Sequence, residues 1–148
     1  DSIIRTDERT GKSHSSESEY VWEALFTLSS YWGYEYETGF NGGIITVPGE
    51  LMESFCFALF HNLSELPEIP EDFGLILRKD DTYTMKSSEL GKNYTEIESF
   101  TEASDGSVKA TIYHCSAEDE ILAVYEVKLV PQPFNVFAYS VVYANKIS

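Results

Sequence analysis

The chain has 148 residues, of which 43% are hydrophobic and 14% aromatic, and its formal net charge is −15. That length accommodates one domain with a substantial core, and the apolar content is typical of a globular protein. Because phosphate groups repel so acidic a chain, the charge excludes nucleic acid as a partner and disfavours anionic membrane surfaces. The sequence contains no long apolar run, so we expect no transmembrane segment.

Residues 1–17 are predicted to form a flexible polar leader, because they are rich in Ser, Glu and Arg and poor in apolar side chains. His14 lies in this segment and is expected to be disordered. The same composition is typical of a tether to a cell-surface anchor, of a frayed terminus and of a remnant of recombinant expression. Residues 18–148 are predicted to form a single α+β domain.

Two predicted helices follow the leader. Residues 18–32 carry apolar side chains at helical spacing, and Gly33 is expected to end this helix. Gly39 and Gly42 predict a loop that leads to a short strand. Pro48 then favours the first turn of a second helix, where the missing N–H of proline is tolerated.

Alternation of side chains predicts the strands. Residues 73–77 and 82–85 flank a polar turn and predict a hairpin, and residues 94–100 predict a further strand. From Ser107 to Ile147 the pattern is that of three long strands joined by short turns. Helices followed by a meander predict an α+β fold in which the N-terminal helices pack on a curved antiparallel sheet.

The chain has two cysteines, Cys56 and Cys115. This number excludes a disulfide-dense miniprotein, and free cysteines are among the most buried residue types. We therefore expect two buried free thiols, and a single disulfide between them is the alternative.

The order of the predicted elements resembles the NTF2-like and cystatin-like α+β group. The resemblance rests on residues 45–48 leading into a helix, on the loop 66–71 and on the meander from Ser107 onward, and it spans residues 18–147. The same order of elements is also similar to that of small secreted or lipid-anchored bacterial envelope domains of unknown function. The resemblance implies an extracytoplasmic location, a pocket between helix and sheet, and homodimers that form through the sheet.

Aromatic side chains of the strands are the candidate ligand site, because pockets for small molecules are mostly apolar with a few polar groups. The residues predicted to line the pocket are Trp32, Tyr113, His114, Tyr125 and Tyr139. No catalytic residue, cofactor or metal site is assigned. The acidic turns do not match a calcium loop, and the glycines do not form a nucleotide-binding motif.

Three functions remain open at this level. The first is a non-catalytic extracytoplasmic domain that binds a small molecule or a protein partner. The second is a small NTF2-like enzyme in which His114 or Glu126 acts as a base inside the cone. The third is an acidic inhibitor or immunity-type protein that is drawn to a basic partner by its negative charge.

Overall fold

Helices come first along the chain and strands dominate its second half. The structure, a computed structural model, describes residues 1–36, 40–41, 43–87, 91–133 and 135–148. The elements in these residues are α1 (Ser2–Thr10), α2 (Ser18–Tyr36), β1 (Phe40–Asn41), β2 (Ile44–Pro48), α3 (Gly49–Leu59), β3 (Ile76–Lys79), β4 (Thr82–Lys86), β5 (Tyr94–Glu102), β6 (Val108–Cys115), β7 (Ile121–Pro131) and β8 (Tyr139–Lys146).

The fold class is α+β, as predicted, but the described strands form two antiparallel sheets instead of one. A small sheet has the order β1-β2-β4-β3, and a large sheet has the order β5-β6-β7-β8. The predicted hairpin is present as β3 and β4, and β4 pairs with β2 on its other side. Alternation defines a strand but not its neighbour, so the sequence pattern did not separate the two sheets. Two of the predicted loop glycines, Gly39 and Gly42, lie outside the described residues.

Helices α2 and α3 pack on the small sheet and form the main core. Buried apolar side chains come from both helices and from the small sheet; they include Trp22, Leu25, Ile45, Val47, Met52, Phe55, Tyr83 and Met85. The indole N–H of Trp22 donates to the carbonyl oxygens of Pro67 and Glu68, each at 3.1 Å, which ties the acidic loop after α3 to this core. Trp22 therefore buries its apolar ring while its N–H keeps hydrogen-bond acceptors.

The large sheet has an inner face, covered by helices, and an outer face without such cover in the described residues. Ile112 pairs with Tyr125 and His114 pairs with Ala123, and all four side chains lie on the inner face because directly opposed residues share a face. Tyr113 and its partner Val124 point to the outer face. The predicted alternation is thereby confirmed for these residues, and a bulge between His114 and Cys115 interrupts it at the end of β6.

A bulge changes the faces of β8. Lys128 pairs with Tyr143 but Leu129 pairs with Val141, so one residue of β8, Val142, has no partner on β7. The sequence pattern placed Val141 and Tyr143 on one face. The extra residue at the bulge separates them and brings Val141 to the inner face beside Leu129.

The first 17 residues differ most from expectation. They contain helix α1, whose Ile3 and Ile4 are buried, in place of a flexible leader. Ile4 packs on Ala123 and Tyr125 of the inner sheet face. Two adjacent isoleucines are too few to predict a helix from composition, but the sheet supplies the apolar partner that a short amphipathic helix needs.

Polar contacts fix α1 against α2. The hydroxyl of Tyr20 donates to the carboxylate of Asp7, and Arg9 forms an ion pair with Glu23 at 2.5 Å. His14, which was expected to be disordered, stacks on Phe60 with ring centroids 5.2 Å apart. These contacts give an ordered position to a segment that is mostly polar.

Gly33 lies inside α2 and does not end it, because the helix continues to Tyr36. Gly33 faces Ile45 of β2, and a Cβ at this position would come within 2.7 Å of Ile45 Cγ1 and closer still to Cδ1. The glycine is needed for close packing between helix and strand, not for a turn.

The buried thiols agree with expectation. Cys56 and Cys115 are both buried and not bonded to each other. Burial raises the pKa of the Cys56 thiol to about 12. In the described part of the chain, no helix has both the length and the apolar character needed to cross a membrane.

We expect Gly33→Ala to lower the free energy of unfolding by about 1–2 kcal/mol, because overpacking against the buried Ile45 exceeds the gain of about 1 kcal/mol in helix propensity. Urea denaturation measures this. Gly74→Ala is the control, since an added Cβ meets no atom within 4 Å there. The loss should be smaller in an Ile45→Val background, which lacks Cδ1; an equal loss would contradict the steric explanation.

Asp7 generates a second prediction. Burial raises its pKa from the ordinary 3.8 to about 6. The folded state therefore holds the proton more tightly, and the stability contributed by this group falls as the pH rises from about 4 to 6. We expect Asp7→Asn to raise the free energy of unfolding by about 1–3 kcal/mol at pH 8 and by much less at pH 4. Denaturation at both pH values measures this, with the exposed Asp72→Asn as control; an equal gain at both values would contradict it.

Candidate functional site

A cavity of about 630 Å³ lies between the inner face of the large sheet and the three helices. Ile112, Val127 and Leu129 form its floor on β6 and β7, and Val141 and Ala144 extend the floor onto β8. These five side chains are apolar and converge because the strands pair in this register. The volume is within the range of small-molecule pockets.

Helices provide the roof of the cavity. Ile3 and Ile4 of α1, Leu28 of α2 and Leu59 of α3 all line it. The cavity exists because α1 covers the part of the inner face near Ala123 and Tyr125 and leaves the rest of that face open. The walls are therefore part of regular elements, which favours a preformed site.

The lining of the cavity also includes polar side chains. Tyr31 and Tyr139 bring phenol groups, and the charged side chains at the rim, Asp1 and Glu96, are acidic. Asp1 forms an ion pair with Arg5 at 2.9 Å. Acidic groups at the entrance disfavour a ligand that carries negative charge.

The apolar surface continues out of the cavity along the edge strand β5. Ile97 lines the cavity and is nevertheless 65% exposed, and Phe100, also 65% exposed, pairs with Ala110 farther along the same face. Exposed large apolar side chains beside a pocket are a common feature of binding sites.

The structure does not bring the five predicted pocket residues together. Tyr139 lines the cavity, whereas Trp32 packs edge to face on Phe55 in the main core. His114 and Tyr125 lie on the inner face beneath α1, and Tyr113 lies on the outer face. The predicted pocket region between helix and sheet exists, but Tyr139 is the member of the predicted set that reaches it.

His114 is buried and paired with α1. Its side chain is 1% exposed, and Nδ1 lies 2.7 Å from Oε1 of Glu8 without forming a hydrogen bond. Glu126, the other base considered from the sequence, accepts a hydrogen bond of 2.8 Å from the hydroxyl of Tyr143. Glu126 pairs with Thr111 on the outer face, so the sheet separates it from His114.

Sequence reasoning missed most of the cavity. Leu129 and Val141 were predicted as strand residues, but only the pairing across the bulge places them side by side. Ile3 and Ile4 were overlooked because they stand in a polar segment. Two neighbouring isoleucines do not establish a helical period, so the sequence carried no clear signal for α1.

Comparison of the chain with protein-family models, with curated proteins and with solved structures finds no match. The site is therefore interpreted from its own geometry. The fold and the cavity define the class of protein: a small α+β protein with an apolar cavity between its helices and its large sheet.

The burial of His114 leads to a chemical test. Diethyl pyrocarbonate should modify the exposed His61 in the folded protein and leave His114 unmodified until the protein is denatured, as read by peptide mass spectrometry. The stacked His14 serves as an internal intermediate case. Modification of His114 as fast as His61 would mean that solvent and substrates reach it, which would favour a catalytic role.

Proposed function

We propose that this protein is a non-catalytic domain that binds a small, neutral, apolar molecule in the cavity above the large sheet. The observation that carries the proposal is the cavity itself, about 630 Å³ in volume, with a floor of five apolar side chains on three strands. Burial of apolar ligand surface against such a floor supplies binding free energy in proportion to area. The acidic rim supports the preference for a neutral ligand over an anionic one.

The arrangement of the sheet, the helices and the pocket supports a more specific fold group. We propose an NTF2-like or cystatin-like arrangement, because a four-stranded antiparallel meander lies under helices with a pocket between them. The small second sheet is an addition to that arrangement. The extracytoplasmic location implied by the resemblance stays a prediction.

The geometry does not favour the two alternative functions equally. An NTF2-like enzyme needs its base in a pocket that substrate can reach, whereas His114 is 1% exposed and Glu126 is on the outer face. An acidic inhibitor of a basic partner is consistent with the net charge of −15, which fits electrostatic steering. Binding that weakens strongly with salt would favour the inhibitor, because apolar binding does not weaken with salt.

Titration with Nile red, a neutral apolar dye, tests the proposed function by fluorescence. Leu129→Trp should fill the cavity and weaken binding by about tenfold or more, since it replaces the volume that the ligand needs. Leu122→Trp is the matched control on the same strand, at a position that is 47% exposed and outside the cavity. We also expect 1-octanol to displace the dye at lower concentration than octanoate.

Two outcomes would overturn the proposal. One is dye binding by a folded Leu129→Trp variant with the affinity of the wild type. The other is the absence of saturable binding by the wild type for both the dye and octanol.

A further inference from the structure

A second pocket lies at the other end of α1. It has a volume of about 460 Å³ and is lined by Asp7, Glu8, Gly11, Ser13, Tyr125 and Lys146, together with Lys12. The apolar cavity is lined by α1 residues up to Ile4, whereas this pocket is lined by residues from Asp7 onward. Their linings share no residue.

Asp7 is the polar group that marks this pocket. One oxygen, Oδ1, accepts hydrogen bonds from the Tyr20 hydroxyl and from the backbone N–H of His14, the latter at 3.1 Å. The other oxygen, Oδ2, is fully buried and accepts no hydrogen bond within the described chain, and the residue as a whole is 7% exposed. Buried carboxylate oxygens almost always have a donor, and leaving one without a donor is costly.

The surroundings of Asp7 favour a positive charge. Glu8 adds a second carboxylate to the lining, and α1 ends at Thr10, directly before Gly11, which also lines the pocket. The C-terminal end of a helix carries partial negative charge and attracts cations. Tyr125 contributes an aromatic wall, which also suits a cationic group.

The described basic side chains around the pocket do not form an ion pair with Asp7. Lys12 pairs with Glu17 at 2.5 Å and Arg9 pairs with Glu23 at 2.5 Å. The Nε2 atom of His14 lies 2.8 Å from the carbonyl oxygen of Leu59, away from Asp7. Two further basic groups remain near the cluster; they are His114, next to Glu8, and Lys146, at the rim without an ion pair to Asp7 within 4 Å.

A metal ion fits this pocket less well than an organic cation. Protein sites for divalent cations supply several oxygen, nitrogen or sulfur ligands. The described residues contain no group of three or more His, Cys, Asp and Glu side chains that could hold a metal ion. An ammonium group needs fewer protein ligands, since each N–H donates one hydrogen bond.

We propose that the pocket at the C-terminal end of α1 binds a small organic ammonium ion, which pairs with the carboxylate of Asp7. The buried carboxylate then gains a compensating positive charge. Burial raises the pKa of Asp7 to about 6 in the protein without ligand. Binding therefore weakens below that pH, because the carboxylate takes up a proton. The lysine at the rim, Lys146, is placed to contact an anionic end of a longer ligand.

The test is a titration of the ¹⁵N-labelled protein with n-butylammonium chloride at pH 7.5, followed by amide chemical shifts. We expect saturable shifts at residues 7–14 and at Tyr125 and Lys146. Neither n-butanol nor sodium chloride at the same concentration should produce them. The butanol control also separates this site from the apolar cavity, because an alcohol that enters the cavity shifts Ile112 and Val127 instead.

Asp7→Asn should weaken butylammonium binding by about tenfold or more, because a charge-assisted hydrogen bond becomes a neutral one. Asp72→Asn, which removes the same charge from an exposed loop, should leave it unchanged. Shifts that butanol reproduces, shifts spread over the acidic surface, or unchanged affinity in Asp7→Asn would each overturn the proposal. If Asp7→Asn does not fold, butylammonium titration of the wild type at pH 5 replaces it. Affinity equal to that at pH 7.5 would contradict binding to the Asp7 carboxylate.

Discussion

The contact between α1 and the inner face of the large sheet decides where both candidate pockets lie. Ile4 packs on Ala123 and Tyr125, and Asp7 and Arg9 bind α2 at the same time. A nine-residue helix covers one end of the inner face and leaves the other end open. The position and length of this helix therefore set one end of the apolar cavity, and α2 and α3 complete its roof.

Two chemically different pockets result at the two ends of α1. At its beginning, Ile3 and Ile4 face apolar strand residues, and the hydrophobic effect favours an apolar ligand. At its end, Asp7 holds a charge away from water, and electrostatics favours a cation. A carboxylate that destabilises the fold above its pKa is expected where function requires it, since natural proteins accept such costs mainly at functional sites.

Local patterns in the sequence predicted the elements that repeat a clear period. The alternation from Ser107 onward corresponds to β6, β7 and β8, and the helical spacing of residues 18–32 corresponds to most of α2. The patterns failed where tertiary contacts decide. Gly33 was interpreted as a helix end, although its lack of a side chain serves the approach of Ile45, and α1 was missed because its apolar stripe is two residues wide.

The sequence by itself determined the α+β class, the order of most elements and which residues alternate along each strand, because these depend on neighbours within a few positions. The tertiary structure alone decided that the strands divide into two sheets, that a bulge brings Val141 beside Leu129, and that α1 buries Asp7 against Tyr20. Each of these depends on contacts between residues distant in sequence, which no local period encodes. For that reason the candidate residues His114 and Tyr113, adjacent in the chain, lie on opposite faces of one sheet, and the cavity is lined by residues from seven different elements.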